Sequence, residues 1–336
     1  MLKRILKIVL VFVVIFVVTV GIYFFVEKPP VAEKIIWGVN FSQKHAQNLG
    51  LDWRQTYLAI LDDLKVKNMK LLTHWDLLEP AKNQYYFDDL DWQISEAEKR
   101  NINLILVVGM KTGRWPECHI PAFAQNLSKE EQQREILELL ENVVPRYRES
   151  KAIARWQVEN EPFFAFGNCP WQDKEFVKRE TELVKLLDLK KRPIIVSDSG
   201  ELSFWLKAAR LGDVVGTTMY RKLWSKEFKT YISFPLPSAF YWKKAQLINK
   251  LFGKKVIVVE LQAEPWGEKL LYDSPLEEQK KTMNLNQFRK NIEFARSTGF
   301  DEFYLWGAEW WYWLEENFSE DEDALIWKEA TTLFSI

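Results

Sequence analysis

The chain is poor in several features on which large classes of proteins depend. Among its 336 residues there are two cysteines and three histidines. No histidine is spaced from another histidine or a cysteine as zinc ligands usually are, so a catalytic metal site is not expected. The net charge is −1 and no basic stripe occurs, which argues against a nucleic-acid partner. No glycine-rich phosphate loop follows the first apolar strand, which argues against a doubly wound nucleotide-binding sheet.

Aromatic residues, by contrast, are abundant, with 16 Trp, 11 Tyr and 22 Phe. Indole rings stack well on the C–H faces of sugars, so this composition suits a protein that handles carbohydrate. A large tryptophan-rich core explains the composition equally well.

The N-terminus contains the longest apolar segment. Lys3, Arg4 and Lys7 precede an uncharged run of 19 residues, Ile8 to Val26. A helix of that length spans about 28 Å, close to the thickness of a bilayer core. Because no small-residue cleavage site follows, the pattern predicts an uncleaved signal anchor over residues 8–26 with its basic end in the cytoplasm. A cleaved signal peptide is the alternative.

Three regions follow from this pattern. Residues 1–26 form the basic tip and the expected anchor, residues 27–34 form a short linker that contains Pro29-Pro30, and residues 35–336 read as one domain. The domain would lie outside the cytoplasm, attached to the cell membrane, and we take it as a monomer by default.

Eight apolar runs of strand length alternate with helical patterns in this domain. The predicted strands are Ile35–Phe41, Met69–Trp75, Asn103–Gly109, Ile153–Asn160, Pro193–Ser199, Asp213–Tyr220, Lys255–Leu261 and Glu302–Glu309. Nearly continuous apolar runs are typical of parallel strands covered on both faces. Eight such units predict an α/β protein with a closed (β/α)₈ barrel, preceded by one transmembrane helix.

Two acidic residues end predicted strands on the side where such barrels have their active sites. Glu161 follows the fourth strand in WQVENEP, and Glu260 ends the seventh in VIVVE. Two facing carboxyl groups, one protonated and one ionised, are the equipment for cleaving a glycosidic bond. Their proximity would raise the pKa of one of them. A structural ion pair at a strand end is the alternative for each.

Three segments in this order resemble the clan A glycoside hydrolases, the (β/α)₈ superfamily of cellulases, β-xylosidases and β-galactosidases. WQVENEP is similar to the clan's Asn-Glu-Pro motif on the fourth strand, and VIVVELQAEPW is similar to its nucleophile segment on the seventh. WDLLEPAKNQYYFDDLDWQISEAEKRNINLILVVG is similar to the stretch between the second and third strands. The family within the clan is not assigned.

The resemblance implies a role for each matching residue. Glu161 matches the general acid/base and Glu260 the nucleophile. Asn160 matches the amide that binds the sugar 2-hydroxyl, Tyr220 the tyrosine that holds the nucleophile, and Trp306 the platform under the cleaved sugar. The substrate would be a β-linked oligo- or polysaccharide, and no cofactor is implied.

The sequence departs from the clan at the second strand. The clan places an arginine there, close to the nucleophile, whereas this chain reads KLLTHW. Either His74 is the substitute, or the nucleophile is oriented in another way. We place His74, Trp75 and the loop residue His119 at the substrate cleft.

The remaining acids have structural alternatives. Glu159 is expected to pair with a lysine or arginine below the site, and Glu79 belongs to the clan's structural Glu-Pro turn. Glu264 is expected to be solvated or at the rim, and Glu309 to bind a hydroxyl or form a rim salt bridge. Trp115 and Trp171 either stack on a sugar of the substrate or pack against the surface of the protein.

The two cysteines fall in neighbouring loops. Cys118 follows the third predicted strand and Cys169 the fourth. Outside the cytoplasm such a pair forms a disulfide, and in a reducing compartment both would be free.

We therefore interpret the chain as a membrane-anchored, retaining β-glycoside hydrolase. A catalytically silent glycan-binding or polysaccharide-assembly protein on the same barrel is the first alternative, motivated by the missing arginine. Transglycosylation by the same residues is the second.

Overall fold

The eight predicted strands close into a parallel barrel in the computed structural model, which describes residues 2–335. In chain order the strands are β1 Ile36–Phe41, β2 Asn68–Leu72, β3 Asn103–Val108, β4 Ile153–Val158, β5 Ile194–Asp198, β6 Val214–Met219, β7 Lys222–Ser225, β8 Thr230–Ser233, β9 Val256–Gln262 and β10 Glu302–Trp306. Neighbouring strands around the barrel follow the order β1-β10-β9-β6-β5-β4-β3-β2, and β7 and β8 form a separate antiparallel hairpin. The (β/α)₈ prediction is confirmed, although the sequence pattern did not reveal the hairpin.

Helices cover the outside of the barrel. Their bounds are α1 Leu2–Phe25, α2 Gln43–Asn48, α3 Trp53–Asp62, α4 Trp75–Leu78, α5 Asp88–Lys99, α6 Lys129–Tyr147, α7 Lys174–Leu187, α8 Leu206–Leu211, α9 Ser238–Phe252, α10 Leu276–Gln279, α11 Leu285–Arg296, α12 Ala308–Asn317 and α13 Leu325–Phe334. Helix α11 begins after Asn284, whose side chain caps it by accepting the Gln287 N–H.

Side chains fill the barrel interior in layers. At the N-terminal end, Arg155 pairs with Glu302, which also accepts a hydrogen bond from the Tyr304 hydroxyl at 3.1 Å. Gly38 leaves room for that tyrosine, because a Cβ at Gly38 would lie 2.7 Å from the ring. An apolar layer of Ile105, Ile195, Ile257, Val259 and Tyr304 lies above it. Side chains therefore fill this part of the barrel, and in this fold active sites lie at the C-terminal ends of the strands.

Much of the tryptophan is core. Trp75, Trp156, Trp205, Trp310 and Trp311 are fully buried. A tryptophan-rich core therefore accounts for a large part of the aromatic composition.

Helix α1 covers most of the segment that was predicted to cross a membrane. Its C-terminal end packs on α9, where the rings of Phe24 and Phe25 lie 6.2 and 5.8 Å from that of Phe240. Among the helices of residues 2–335, none combines the length and the apolarity that a membrane crossing requires. The expected transmembrane anchor over residues 8–26 is therefore not supported.

Candidate active site

Glu260 occupies the upper part of β9 and is held from two sides. Its Oε1 accepts a hydrogen bond from Lys70 Nζ at 2.8 Å, and its Oε2 accepts one from the Tyr220 hydroxyl at 2.9 Å. All three side chains are buried. A buried carboxylate that is paired with an ammonium group and bonded by a hydroxyl is stabilised in its ionised form.

Lys70 supplies the positive charge that the sequence had seemed to lack. It lies in the middle of β2 with 0% exposure, and its Nζ also donates to Asn160 Oδ1 at 3.0 Å. The expectation that His74 replaces the missing arginine is therefore wrong. A lysine between Met69 and Leu71 in an apolar strand was the signal, because a fully buried lysine needs a partner.

Glu161 follows β4 on a loop with left-handed backbone, its φ being +44°. Its carboxyl accepts a hydrogen bond from the Thr218 hydroxyl at 3.0 Å, and its backbone N–H donates to Ser197 Oγ at 2.9 Å. Burial, followed by the negative charge of Glu260, raises the pKa of Glu161 well above its usual value. The protonated form of Glu161 is therefore favoured more than that of an exposed glutamate.

The barrel register brings the two acids together. Thr218, which bonds Glu161, is the β6 residue paired with Glu260 of β9. The two carboxyl groups lie within electrostatic reach of each other, since the charge of Glu260 acts on Glu161. The arrangement can supply a proton from one residue and an anionic oxygen from the other.

Asn160 is oriented by the same network. Its Oδ1 accepts hydrogen bonds from Lys70 Nζ and from Gln157 Nε2 at 3.1 Å. With the oxygen used twice, the amide nitrogen is the part of Asn160 that can meet a ligand.

Trp306 ends β10 with a cation on its face. The Arg114 guanidinium lies 4.0 Å from the ring centroid. Arg114 also pairs with Glu264 and with Glu309, the latter at 3.1 Å, and His45 lies 3.2 Å from Glu264. Burial alone would raise the pKa of Glu264, but Arg114 and His45 bring it to about 2. Glu264 is thus part of a buried ion cluster, not the solvated or rim residue that was expected, and Glu309 belongs to the same cluster.

A cavity of about 410 Å³ opens beside Trp306. Its walls include the aromatic residues Trp115, Phe166, Trp266 and Tyr272, with Glu117 on the side of the β3 loop. Neither Glu161 nor Glu260 lines this cavity. The ring of Trp266 lies 5.2 Å from that of Tyr220, which bonds Glu260. Trp171, in contrast, bonds Gln132 at 2.6 Å and packs on Phe176, so it is a packing residue.

Three predicted cleft residues lie elsewhere. Trp75 is fully buried, bonds Glu79 at 2.9 Å and packs on Phe123, so it belongs to the core. His74 is buried between Ser42 and Thr112, and the His119 ring lies against it at a tilt of 50°, with ring centroids 4.0 Å apart. Burial lowers the pKa of His119 to about 4. Both histidines are buried and bonded within the protein, and neither lines the cavity.

Glu159 does not pair with a lysine or arginine side chain below the site, as had been expected. Its oxygens accept the N–H groups of Met110 and Lys111 at 2.8 and 2.5 Å, and Glu180 of α7 lies next to it. Burial and the charge of Glu159 raise the pKa of Glu180 well above its usual value. A carboxyl pair, and not a lysine or arginine salt bridge, therefore supports the β4 loop.

Cys118 and Cys169 form the predicted disulfide, with Cα atoms 5.2 Å apart. It links the β3 loop to the β4 loop next to Glu161. Within residues 2–335, no group of three or more His, Cys, Asp or Glu side chains is arranged to hold a metal ion.

Five residues at the site were not found from the sequence: Lys70, Arg114, Glu117, Thr218 and Trp266. Apart from Lys70, they lie in loops or at strand ends whose composition is ordinary. Their position depends on which loops the barrel brings together.

No protein-family model matches the chain, and none of the curated proteins matches its sequence. Solved structures do resemble it. A GH5_18 protein from Bifidobacterium longum subsp. longum superposes with a TM-score of 0.58 at 11% identity, covering 82% of this chain and 70% of that one. An endo-β-1,4-xylanase of family GH10 from Gloeophyllum trabeum has a TM-score of 0.54 at 15% identity, covering 82% and 85%.

A β-galactosidase from Rahnella sp. R3 has a TM-score of 0.55 at 13% identity, covering 83% of this chain. The chain spans about half the length of that enzyme, 52%. These likenesses show that the chain shares the (β/α)₈ fold of glycoside hydrolases of the clan A type.

Proposed function

We propose that this protein is a retaining β-glycoside hydrolase in which Glu161 is the general acid/base and Glu260 the nucleophile. One observation carries the proposal: the two carboxyl groups have opposite environments. Lys70 and Tyr220 both donate hydrogen bonds to Glu260, while burial and the neighbouring negative charge raise the pKa of Glu161. Double displacement requires an anionic nucleophile and a protonated acid.

In the first step, a carboxylate oxygen of Glu260 attacks the anomeric carbon of the sugar. The bond from that carbon to the glycosidic oxygen breaks, and Glu161 gives its proton to the departing oxygen. The sugar is then held as an ester on Glu260. The amide nitrogen of Asn160 donates a hydrogen bond to the sugar 2-hydroxyl.

In the second step, Glu161 is a carboxylate and removes a proton from water. The water oxygen bonds to the anomeric carbon as the ester bond to Glu260 breaks. The sugar leaves with its original configuration, Glu161 is again protonated, and Glu260 is again ionised. Because the site returns to its initial state, no cofactor is consumed.

A β-linked oligo- or polysaccharide is the proposed substrate. The aromatic walls of the cavity suit sugar rings. The similar structures are titled a β-galactosidase, an endo-β-1,4-xylanase and a GH5_18 protein in complex with Manβ1-4GlcNAc. Their shared β linkage supports a β-linked substrate, and their different sugars favour testing several.

Hydrolysis of a panel of aryl β-glycosides tests the proposal. Glu260→Ala should abolish turnover, and Glu161→Ala should lower it by about 10²- to 10⁴-fold. Glu277→Ala, at a side chain that is 85% exposed, is the control and should keep full activity. Undiminished turnover by Glu260→Ala would show that the nucleophile is another residue.

Azide provides a second readout. Added to Glu260→Ala, it should restore cleavage and give a glycosyl azide of inverted configuration. Products of wild-type hydrolysis, followed by proton NMR, should first appear with retained configuration. Inverted sugar at early times would contradict double displacement.

The silent glycan-binding alternative rested on the missing arginine, and Lys70 removes that motive. Transglycosylation uses the same two acids, and the aromatic cavity would also suit an acceptor sugar. Incubation with a labelled acceptor glycoside separates the two reactions, because only a transglycosylase incorporates the label in dilute acceptor.

We also propose that the domain acts outside the reducing cytoplasm. The Cys118–Cys169 disulfide supports this, since such bonds persist in oxidising compartments. Thiol alkylation in intact cells, before lysis, should leave both cysteines unmodified. Alkylation of both would contradict this location.

A further inference from the structure

Glu117 is an acidic residue at the candidate active site to which no role has yet been given. It lies in the connection between β3 and α6, and its exposure is 7%. Its side chain lines the aromatic cavity together with Arg114, Trp266 and Trp306.

The backbone on both sides of Glu117 is fixed. Its N–H donates to Arg114 O at 2.5 Å, and its carbonyl accepts the Thr112 N–H at 3.1 Å. The φ angle is +75°, a left-handed conformation that a glutamate adopts only when its surroundings impose it.

The β4 loop closes over the same segment. Cys118, the next residue, is bonded to Cys169, and the Asn168 N–H donates to Pro116 O at 2.9 Å. A Cβ on Gly167 would lie 2.4 Å from the Cβ of Glu117, so only glycine fits there. The disulfide and this close contact together aim the side chain into the cavity.

The carboxyl group at the end of this side chain is not used by the protein. Among residues 2–335, no hydrogen bond reaches its oxygens, and its electrostatic neighbours are Lys111, Glu260, Lys70 and Arg114. Lys111 and Lys70 are already engaged, the first by the carbonyls of Glu161 and Phe164 and the second by Glu260 and Asn160. The carboxyl oxygens of Glu117 are not fully enclosed by protein, and the side chain lines the cavity, so a ligand there can donate a hydrogen bond to them.

We propose that Glu117 is a third carboxyl of the active site and binds the substrate by accepting a hydrogen bond from a sugar hydroxyl beside Glu161 and Glu260. This rests on the proposed glycosidase function. The hydroxyl is recognised because it satisfies a carboxyl that the empty site leaves unpaired.

Glu117 also acts on Glu161 through its charge. Burial raises the pKa of Glu117 to about 7, with Lys111 opposing and Glu260 adding to the shift. The charge of Glu117 is one of the causes that raise the pKa of Glu161. Its removal should lower the pKa of Glu161, so the proton needed for the first step should be lost at a lower pH.

Glu117→Gln keeps the shape of the side chain and removes its charge. We expect kcat/KM on the best aryl β-glycoside to fall about 10- to 100-fold, and the basic limb of its pH profile to move to lower pH. Glu130→Gln, an exposed first-turn residue of α6, is the control for loss of one negative charge and should leave both unchanged. Equal thermal midpoints for the variants would show that folding is intact.

Monodeoxy aryl glycosides test the hydrogen bond itself. One deoxy position should reduce the wild-type rate strongly and the Glu117→Gln rate little, because the bond is already lost in the variant. Equal penalties in both enzymes at every position would overturn the proposal.

A measurement without turnover separates this proposal from the glycosidase assignment. In carbon-13 NMR of glutamate-labelled protein, one carboxyl resonance that titrates near pH 7 should vanish in Glu117→Gln, and a second should shift to lower pH. A wild-type protein that cleaves no β-glycoside but shows these changes refutes only the hydrolase function and the substrate bond. An active wild type whose resonances and rates are unaffected by the variant refutes only the role of Glu117.

Discussion

The ammonium group of Lys70 lies 2.8 Å from the carboxylate of Glu260, and both side chains are buried. Lys70 lies on β2 and Glu260 on β9, and strands β1 and β10 separate these two strands around the barrel. The two side chains meet inside the barrel. Lys70 also bonds Asn160, so one lysine positions both the proposed nucleophile and the proposed sugar-binding amide. Lys70 thus provides a positive charge next to Glu260, where the clan A enzymes place an arginine.

Replacing Lys70 with methionine should therefore inactivate the protein and destabilise it. Removal of one partner from a buried ion pair costs about 3–5 kcal/mol, and Glu260 would lose the ammonium group that bonds and positions its carboxyl group. We expect kcat/KM on aryl β-glycosides to fall by at least about 10²-fold, with a lower thermal midpoint.

Two further variants check this reason. Lys70→Arg keeps the charge and should retain more stability than Lys70→Met. The double variant Lys70→Met/Glu260→Gln should recover stability without activity, because no buried charge is left unpaired. Full activity in Lys70→Met would show that Glu260 does not need this partner.

Thr218 should set the upper pH limit of activity. Its hydroxyl donates to Glu161 and lowers the pKa of that carboxyl, against the larger effect of burial. In Thr218→Val the pKa of Glu161 should rise further, so the basic limb of the kcat/KM profile should move to higher pH. This is the opposite direction from Glu117→Gln.

Thr217→Val is the matched control for Thr218→Val. Its hydroxyl bonds the Thr218 carbonyl and does not touch Glu161, so its basic limb should coincide with that of the wild type. A shift of equal size in both variants would indicate a general packing effect.

Loss of the disulfide should cost stability. The bond closes a loop between residues 51 positions apart, for which chain entropy gives at most about 4 kcal/mol. We expect Cys118→Ser/Cys169→Ser to lose about 2–4 kcal/mol of unfolding free energy in urea titrations. Reductant should lower the stability of the wild type to the same level and leave the variant unchanged.

The carboxyl pair of Glu159 and Glu180 should make stability depend on pH. Burial raises the pKa of Glu180 well above its unfolded value of about 4.5. In the wild type, the contribution of Glu180 to the free energy of unfolding is therefore greatest at low pH. This contribution falls as the pH rises from about 4.5 towards the pKa of Glu180 in the folded protein.

Glu180→Gln stays neutral at every pH and can donate to Glu159. Its thermal midpoint should exceed that of the wild type by more at pH 8 than at pH 5. Glu182→Gln, on the same helix but 65% exposed, is the control and should show no such difference. A gain that is constant with pH would contradict a raised pKa of Glu180.

The sequence was informative about the two acids because they end strands. Apolar runs located β4 and β9 to within two residues, and the C-terminal ends of barrel strands share one face, so Glu161 and Glu260 could be expected there. The same reasoning failed for His74 and Trp75. Strand β2 ends at Leu72 and α4 begins at Trp75. The rule that alternate side chains of a strand point into the barrel therefore does not apply to His74 and Trp75.

What the sequence by itself determined is the barrel and the edge on which its acids lie. Both depend on local patterns of apolar and polar residues, which are readable along the chain. Only the tertiary structure decided that Lys70 meets Glu260 across 190 residues, and that Arg114 reaches Glu309 across 195. Such pairs depend on barrel closure and strand register, which no local pattern encodes.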